Sequence, residues 1–168
     1  RRTKAVIVTH LFGNACDMDP IVELCKKRKL ILVEDAAQAF GCTYNGKPVG
    51  TIGDIGCFSL QQTKQMTAGE GGMVVARDEA LSRRMRLFID KAWGYGDPKP
   101  DHYFLAMNYR MTELTGAVAL AQLDKLPAMV KARVVMAEKL TAKIEGVKGV
   151  RAPKTTPGCA PSYWRYAL

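Results

Sequence analysis

An apolar run, Leu30-Ile31-Leu32-Val33, passes directly into the polar stretch Glu34-Asp35-Ala36-Ala37-Gln38, and this boundary decides the predicted fold. A short apolar run with polar ends is typical of a buried strand. In open α/β sheets, ligands bind in the crevice outside the carboxyl ends of the strands. The sequence therefore predicts that Asp35 lies at a ligand-binding edge of a sheet.

A second apolar run ends in the same way. Ile55-Gly56-Cys57-Phe58 is followed by Ser59-Leu60-Gln61-Gln62-Thr63-Lys64, which supplies hydroxyls, amides and an amine before the glycine-rich Ala68-Gly69-Glu70-Gly71-Gly72. Since parallel strands end at a common edge of their sheet, we expect the carboxylate of Asp35 and the amine of Lys64 to face one crevice.

The hydrophobic pattern of the whole chain predicts an α/β fold with three layers, in which a mostly parallel sheet has helices on both faces. The strands are predicted at Thr3–Val8, Leu30–Glu34, Ile55–Leu60 and Gly72–Ala76. The helices are predicted at residues 20–29, at Glu79–Asp90, from Thr112 to Leu126 and from about Met129 to Ile144. The β-α-β order at the start implies a parallel strand pair with a right-handed crossover.

Local signals predict how several of these elements begin and end. Asp19 is a predicted N-cap with a first-turn proline after it, and Asp78 is a second predicted N-cap. Ala36–Phe40 has room only for a short helix, and Asn45-Gly46 suits a tight hairpin. Pro127 must end or kink the helix that begins at Thr112.

Two further segments have irregular or strand-like sequences. The stretch Trp93–Phe104 is rich in Gly, Pro, Asp and aromatic residues, which predicts a long mobile loop. Loops of this length in compact domains are often functional, so this loop and its Tyr95 are candidates for substrate contact. Val150–Pro153 and Ser162–Leu168 are predicted to be strands.

The composition is that of an ordinary globular protein, with 168 residues of which 48% are apolar and 24% charged. No apolar stretch is long enough for a membrane span, and the N-terminal residues lack a secretory signal pattern, so we expect a cytoplasmic protein. The five cysteines form no C-x-x-C pair. They are expected to be reduced thiols, with a metal site as the weaker alternative.

The net charge of +9 raises the question of nucleic-acid binding. The basic residues are dispersed, and runs such as Lys26-Lys27-Arg28-Lys29 fall at a predicted helix end, where cations offset the helix dipole. Solvated helix faces are therefore the preferred interpretation, and no nucleic-acid partner is expected. The two histidines, His10 and His102, have no spacing that suggests zinc ligation, so no metal is expected.

Five motifs together carry a family resemblance. They are Glu34-Asp35-Ala36-Ala37-Gln38-Ala39-Phe40-Gly41, Gly50-Thr51-Ile52-Gly53-Asp54, the stretch from Phe58-Ser59 to Lys64, Thr67-Ala68-Gly69-Glu70-Gly71-Gly72, and Asn108-Tyr109-Arg110-Met111-Thr112-Glu113-Leu114. In this order and spacing they resemble the DegT/DnrJ/EryC1/StrS sugar aminotransferases, which are pyridoxal-phosphate (PLP) enzymes of fold type I. The resemblance implies the large, PLP-binding domain of that fold.

The resemblance also implies roles for the residues that follow the predicted strand Leu30–Glu34. Asp35 matches the carboxylate that keeps the pyridine nitrogen of PLP protonated, Gln38 the residue that hydrogen-bonds the ring hydroxyl, and Ala37 a small residue against the ring. The alternatives are an acid that caps a short helix at Ala36, a surface glutamine, and an alanine that merely favours helix.

For the later motifs, Lys64 matches the lysine that forms the Schiff base with PLP and then moves the proton. Ser59 matches a hydroxyl that binds the cofactor phosphate, and Asn108 a residue that reaches the phosphate of the neighbouring subunit, which implies a homodimer with shared active sites. The alternatives are a solvated surface lysine, a strand-end serine that satisfies its own backbone, and a loop asparagine before the cap at Thr112.

The implied function is transfer of an amino group from glutamate or glutamine to the ketone of a sugar or cyclitol. Some relatives carry histidine at the lysine position and dehydrate their substrates, whereas this chain has Lys64. Two alternatives remain: a PLP-dependent dehydratase or lyase, and a non-catalytic PLP-fold protein that binds a ligand or regulates a partner.

The resemblance sets expectations for domain organisation as well. Residues 1–146 are expected to belong to the PLP-binding large domain and its interdomain helices, and residues 147–168 to begin a C-terminal small domain. The family's early Ser/Thr-Gly-Thr phosphate-binding segment has no counterpart in this sequence. We therefore expect the sequence to represent the central part of a longer enzyme.

Overall fold

The computed structural model describes residues 2–168 as two sheets with helices packed against the larger one. The strands are β1 (Ala5–Thr9), β2 (Ile31–Asp35), β3 (Thr43–Tyr44), β4 (Lys47–Pro48), β5 (Ile55–Ser59), β6 (Gly72–Ala76) and β7 (Cys159–Ala160). The helices are α1 (Met18–Arg28), α2 (Glu79–Ile89), α3 (Glu113–Leu123) and α4 (Leu126–Ile144), and a single 3-10 turn occupies Leu11–Gly13. Within residues 2–168, no helix is both long and apolar enough to cross a bilayer.

The larger sheet has the order β1-β2-β5-β6. β1, β2 and β5 run parallel, whereas β6 pairs with β5 in the antiparallel direction. In the register of this sheet, Asp35 lies opposite both Thr9 and Cys57. The predicted α/β fold with its parallel β-α-β pair is confirmed, and β1, β2 and β5 end at one edge of the sheet.

Helix α1 begins two residues earlier than the cap signal predicted. Asp17, not Asp19, is the N-cap residue, and its side chain makes no capping hydrogen bond. The Asp17 carboxylate instead accepts a hydrogen bond from the Tyr44 hydroxyl at 2.9 Å, while Asp19 accepts one from the Asn45 amide at 3.3 Å. The predicted cap at Asp19 is therefore wrong, because both acids bind the β3–β4 hairpin.

The hairpin itself is as predicted. Asn45 and Gly46 both have positive φ angles, 48° and 76°, which is the conformation that a two-residue turn between antiparallel strands requires. The other edge of β3 pairs with β7, so the smaller sheet has the order β4-β3-β7. This pairing, which joins the last part of the chain to its centre, was not predicted.

The short helix predicted at Ala36–Phe40 does not form. The Ala36 N–H already donates to Cys57 O of the sheet at 2.8 Å, and two consecutive turns follow, closed by Ala39 N to Ala36 O and Cys42 N to Ala39 O at 3.0 Å each. Gly41, with φ of 73°, then redirects the chain. The prediction was wrong: these residues form two consecutive turns, closed by bonds between residues three apart, and no continuous helix.

The later helices follow the sequence signals more closely. Asp78 and Thr112 cap α2 and α3 by accepting hydrogen bonds from Leu81 N and Thr115 N, and the Asp78 cap was predicted. α3 ends at Leu123, and Pro127 lies in the first turn of α4, where a missing N–H costs nothing. α4 therefore begins three residues earlier than the predicted Met129.

The two strands predicted near the end of the chain are absent from residues 147–168, where β7 is the strand that forms. Val150 N donates to Val147 O within a local turn, and Ser162 N makes a single bond to Gly13 O at 2.8 Å. Tyr163 has a positive φ of 45°, which interrupts an extended backbone. Apolar and aromatic content alone does not make a strand when no sheet edge pairs with it. The domain boundary at residue 146 stays a prediction.

A buried carboxylate fixes the loop between β4 and β5. Glu34 has no exposed surface, and its two oxygens accept four hydrogen bonds: from His10 Nε2 at 2.9 Å, Gly50 N at 2.7 Å, and Ile52 N and Gly53 N at 2.6 Å each. Burial alone would raise the pKa of this carboxyl, but the four hydrogen bonds outweigh it and hold the pKa below its ordinary value.

Replacing Glu34 by Gln tests how much the fold depends on this carboxylate. The amide presents N–H groups to donors that need an acceptor, so we expect the thermal midpoint of the complete gene product to fall by about 5 °C. Because the folded pKa is lowered, the carboxylate's contribution is full above the ordinary value of 4.5 and is lost as the pH falls through the folded pKa. The difference between wild type and variant should therefore shrink in acid.

The exposed Glu23 provides a matched control, since Glu23→Gln changes the same groups on the outer face of α1. Scanning calorimetry between neutral pH and pH 4 measures both variants. Equal midpoints for Glu34→Gln and Glu23→Gln at neutral pH would show that the buried carboxylate does not anchor the loop.

Candidate active site

The candidate site lies at the edge where β1, β2 and β5 end. Asp35 is the last residue of β2, and Ser59 is the last residue of β5. The register places Asp35 opposite Cys57, so the ends of these two strands are neighbours. The sequence prediction that both strands deliver polar groups to one edge is confirmed.

Asp35 is half-buried and has weak partners. One carboxylate oxygen accepts from Ala37 N at 3.1 Å, and the other accepts from the Thr9 hydroxyl at 3.4 Å. Among the ion pairs formed within residues 2–168, none includes Asp35. The contact with Ala37 closes a turn and not the helix cap considered as an alternative, and the carboxylate keeps the capacity to bind a cation.

Gln38 is held in place from two sides. Its side-chain oxygen accepts from Phe12 N at 2.8 Å, and its backbone carbonyl accepts from the Gln65 amide at 3.1 Å. Gln38 and the adjacent Ala37 are half-buried. A solvated surface glutamine, which was the alternative interpretation, is inconsistent with these contacts. The loop after β1, the loop after β2 and the segment after β5 therefore meet at Gln38.

Lys64 lies in the corner after β5 and is half-buried. Its ammonium nitrogen stands 4.3 Å from the ring centroid of Trp164, within the range of a cation–π contact. The indole N–H of Trp164 donates to Thr63 O at 2.7 Å, and its ring stacks with Phe12 at a centroid distance of 6.3 Å. Lys64 is thus covered by an aromatic ring and is not a freely solvated surface lysine.

Gln65 connects the lysine corner to the loop after β2. This side chain is almost completely buried, and its Nε2 donates both to Gln38 O and to the Ser162 hydroxyl at 3.1 Å each. Its Oε1 has no hydrogen-bond partner within the described chain. One buried amide therefore fixes the residue beside Lys64 relative to Gln38 and to the last segment of the chain.

Ser59 and Asn108 differ in how they relate to this group. The Ser59 hydroxyl oxygen accepts from Gln61 N at 3.3 Å, which leaves its hydrogen free to donate. Asn108 is exposed and pairs through its backbone with Asp90 at the end of α2, while its side chain accepts from Arg110 Nε at 2.9 Å. These contacts place Asn108 beside α2 and not with Asp35, Gln38 and Lys64.

The predicted loop Trp93–Phe104 is present and internally braced. Asp97 accepts from Arg83 of α2 and from the Tyr103 hydroxyl at 2.6 Å each, and His102 pairs with Trp93. Tyr95 is 63% exposed. Its suggested contact with a substrate stays a prediction.

Trp164, Gln65, Phe12 and Ser162 are site residues that sequence reasoning missed. The sequence did mark Ser162–Leu168 as unusual through its aromatic residues, but that signal was interpreted as a strand. Trp164 lies 101 positions from Thr63, with which it bonds, so no local pattern connects them. Through the bond from Gln65 to Gln38, these residues connect the Lys64 corner to the loop that follows Asp35.

Solved structures share this architecture. The aminotransferase TlmJ from Streptoalloteichus hindustanus superposes with a TM-score of 0.92 at 32% identity over 98% of this chain and 45% of its own. DesV from S. venezuelae, solved in complex with a ketimine intermediate, gives a TM-score of 0.92 at 31% identity over 98% of this chain and 44% of its own. The fold class is thus that of sugar aminotransferases.

Sequence relatives agree with this class. GDP-perosamine synthase of Escherichia coli O157:H7 is 39% identical over 99% of this chain and 45% of its own length, and that of Caulobacter vibrioides is 42% identical over 79% and 35%. L-glutamine:2-deoxy-scyllo-inosose aminotransferase of Streptomyces kanamyceticus is 34% identical over 98% and 40%. The chain spans less than half the length of these relatives.

The profile of the DegT/DnrJ/EryC1/StrS aminotransferase family matches residues 1–168. The chain belongs to this family, as the motifs around Asp35, Lys64 and Asn108 had implied.

Trp164→Ala tests the cover over Lys64. Without the indole, the amine loses a cation–π contact and one side of its shield, so we expect Lys64 of the cofactor-free gene product to react with acetic anhydride about fivefold faster. Competitive labelling followed by peptide mass spectrometry measures the rate, with the exposed Lys47 as internal reference. Trp93→Ala is the matched control. An unchanged rate at Lys64 in Trp164→Ala would contradict the contact.

Proposed function

We propose that the complete gene product is a PLP-dependent aminotransferase that moves an amino group from glutamate or glutamine to the ketone of a sugar or cyclitol. Two observations in a chain of this family carry the proposal: Asp35 ends β2 with no ion-pair partner within residues 2–168, and Lys64, covered by the Trp164 ring, lies in the corner that follows the neighbouring β5.

The residues of this edge fit the chemical groups of PLP. PLP supplies a protonated pyridine ring that accepts the electrons released when a Cα–H bond breaks. Asp35 would hold the proton on the ring nitrogen, because its carboxylate has no cation of its own within residues 2–168. Ala37 leaves room for a flat ring, and the amide of Gln38 would bind the ring hydroxyl.

Lys64 would supply the amine that the reaction requires. Its amine would hold the cofactor and, when free, would serve as the base that moves a proton at the donor Cα. Gln65 fixes the backbone beside Lys64 by its bonds to Gln38 and Ser162. The indole of Trp164 keeps water from one side of the amine.

Ser59 and Asn108 would both serve the cofactor phosphate, but from different subunits. The Ser59 hydroxyl has a free hydrogen at the end of β5, which suits a phosphate oxygen. Asn108 is exposed among apolar residues that face outward, including Leu105 at 96% and Leu114 at 82% exposure. A second copy of the chain that covers this surface would bring its own site to Asn108 and form a homodimer.

The names of the relatives support two classes of amino acceptor. GDP-perosamine synthases are named for a nucleotide-linked amino sugar, and the Streptomyces kanamyceticus relative is named for a cyclitol ketone with glutamine as donor. We therefore place a nucleotide-linked keto-sugar or an inosose at this site, with glutamate or glutamine as the source of nitrogen.

Lys64→Ala removes the proposed amine and should lower amino transfer by about three orders of magnitude. Borohydride reduction of the wild type with PLP should label Lys64, as read by peptide mass spectrometry, and the variant should show no label there. Lys47→Ala changes an exposed lysine of β4 and should keep full activity.

The same assay separates the alternatives. Consumption of the amino donor coupled to an aminated product supports transfer, whereas loss of water from the ketosugar without donor consumption indicates a dehydratase. PLP binding with no turnover indicates a binding protein. Undiminished transfer in Lys64→Ala would refute the assignment of the amine.

Asp35→Asn keeps the shape of the side chain but removes the charge that would hold the ring proton. We expect turnover to fall about 100-fold, with a change in the visible spectrum of the bound cofactor, because a neutral amide does not stabilise the protonated ring. Asp124→Asn, on the exposed turn between α3 and α4, is the control. Wild-type turnover in Asp35→Asn would contradict the role of the carboxylate.

A further inference from the structure

Two thiols from distant parts of the chain meet beside the smaller sheet. Cys42 Sγ lies 3.6 Å from Cys159 Sγ although the residues are 117 positions apart in sequence. Cys42 is 1% exposed, whereas Cys159 is only partly buried. The site described above uses neither thiol.

The pairing of β3 with β7 holds the two thiols together. Tyr44 lies opposite Cys159, and Thr43 lies opposite Ala160, so Cys42 directly precedes the paired residues of its strand. Two backbone hydrogen bonds fix the residues next to the thiols: Asn45 N donates to Gly158 O at 2.8 Å, and Val49 N donates to Cys42 O at 3.1 Å. Cys42 and Cys159 are thus diagonal neighbours on adjacent strands, and their sulfurs must approach from 3.6 Å to about 2 Å to form a bond.

The surroundings make one of the two thiols reactive. The hydrogen bond from the Cys42 thiol outweighs burial and, with the Ala15 N–H at 3.2 Å and His10 nearby, lowers the pKa of Cys159 to about 7. The hydrogen bond to Cys159 and burial raise the pKa of Cys42. Cys159 is therefore substantially thiolate near neutral pH, with a protonated thiol beside it.

The remaining cysteines lack this combination. Burial raises the pKa of both Cys25 and Cys57, which keeps these thiols protonated and unreactive. The Cys16 thiol donates to Thr9 O at 3.2 Å. Selective chemistry at a single pair is thus expected.

We propose that Cys42 and Cys159 form a modification site at which a peroxide produces a reversible disulfide. The Cys159 thiolate attacks one oxygen of hydrogen peroxide, and the O–O bond breaks to give a sulfenic acid and, after protonation, water. The Cys42 sulfur then attacks the Cys159 sulfur, the S–O bond breaks, and the Cys42 proton leaves with the hydroxide as a second water. Two thiols and one peroxide thus give one disulfide and two waters, and an external thiol reverses the change.

The disulfide would link the last segment of the chain, at Cys159, covalently to Cys42 beside β3. Residues 159–164 carry Ser162, which bonds Gln65, and Trp164, which covers Lys64. A covalent link at Cys159 restricts the departure of this segment from the edge at which Lys64 lies. This inference rests on the geometry and reactivity of the two thiols and does not depend on the proposed function.

The complete gene product, reduced and freed of reductant, is treated with a small molar excess of hydrogen peroxide at neutral pH and then with N-ethylmaleimide. Non-reducing peptide mass spectrometry should find the Cys42 and Cys159 peptides joined, with the loss of two hydrogen atoms, and dithiothreitol should separate them. Amide exchange over residues 156–164 should be slower in the oxidised protein than in the reduced protein.

Variants separate the roles of the two sulfurs. Cys42→Ser should leave a sulfenic acid at Cys159 that dimedone traps, and Cys159→Ser should abolish the reaction at Cys42. Cys25→Ser is the matched control and should form the cross-link as the wild type does. Oxidation of Cys159 without a cross-link in the wild type, a cross-link between other cysteines, or equal oxidation of Cys25 and Cys159 would each overturn the proposal.

Discussion

The hydrogen bonds to the buried carboxylate of Glu34 are the constraint on which the rest of the structure depends. The carboxylate takes a bond from His10 after β1 and three backbone bonds from Gly50, Ile52 and Gly53 before β5. Its position on β2 therefore fixes the loops that lead out of one neighbouring strand and into the other. A buried acid without these donors would be strongly destabilising, so the loops and the carboxylate require each other.

The alternation of side chains along β2 separates the structural role of Glu34 from the candidate binding role of Asp35. Successive residues of a strand point to opposite faces, so Glu34 turns inward while Asp35 turns away from it at the end of the strand. The same loops that bind Glu34 lead into β5, which pairs with β2 so that Cys57 lies opposite Asp35 and Ser59 ends the neighbouring strand. Two successive residues of β2 thus differ: the Glu34 carboxylate has four hydrogen-bond donors, whereas the Asp35 carboxylate has weaker partners. The first stabilises the protein, and the second can bind a ligand.

Local sequence signals predicted the features that local chemistry decides. The parallel pair of β1 and β2, the turn at Asn45-Gly46 and the cap at Asp78 follow from periodicity, positive φ and capping, and each is confirmed. The edge that holds Asp35, Ser59 and Lys64 was also predictable, because strand ends in such sheets have a known arrangement. The predicted helix at Ala36–Phe40 and the predicted late strands were wrong, because local turns replace the helix and no sheet edge pairs with the two late segments. The cover of Lys64 by Trp164 could not be predicted from a local pattern, since 101 positions separate Trp164 from Thr63, to which its indole hydrogen-bonds.

The last segment of the chain connects these long-range features. It pairs with β3 through Cys159, bonds Gln65 through Ser162 and covers Lys64 with Trp164. β7 itself has only two residues. The position of Trp164 over Lys64 depends on the contacts of Cys159 and Ser162, because each of these residues fixes the backbone that leads to the next. A change at the Cys42–Cys159 pair therefore acts on the same short backbone that positions the ring over Lys64, although the sulfurs take no part in its chemistry.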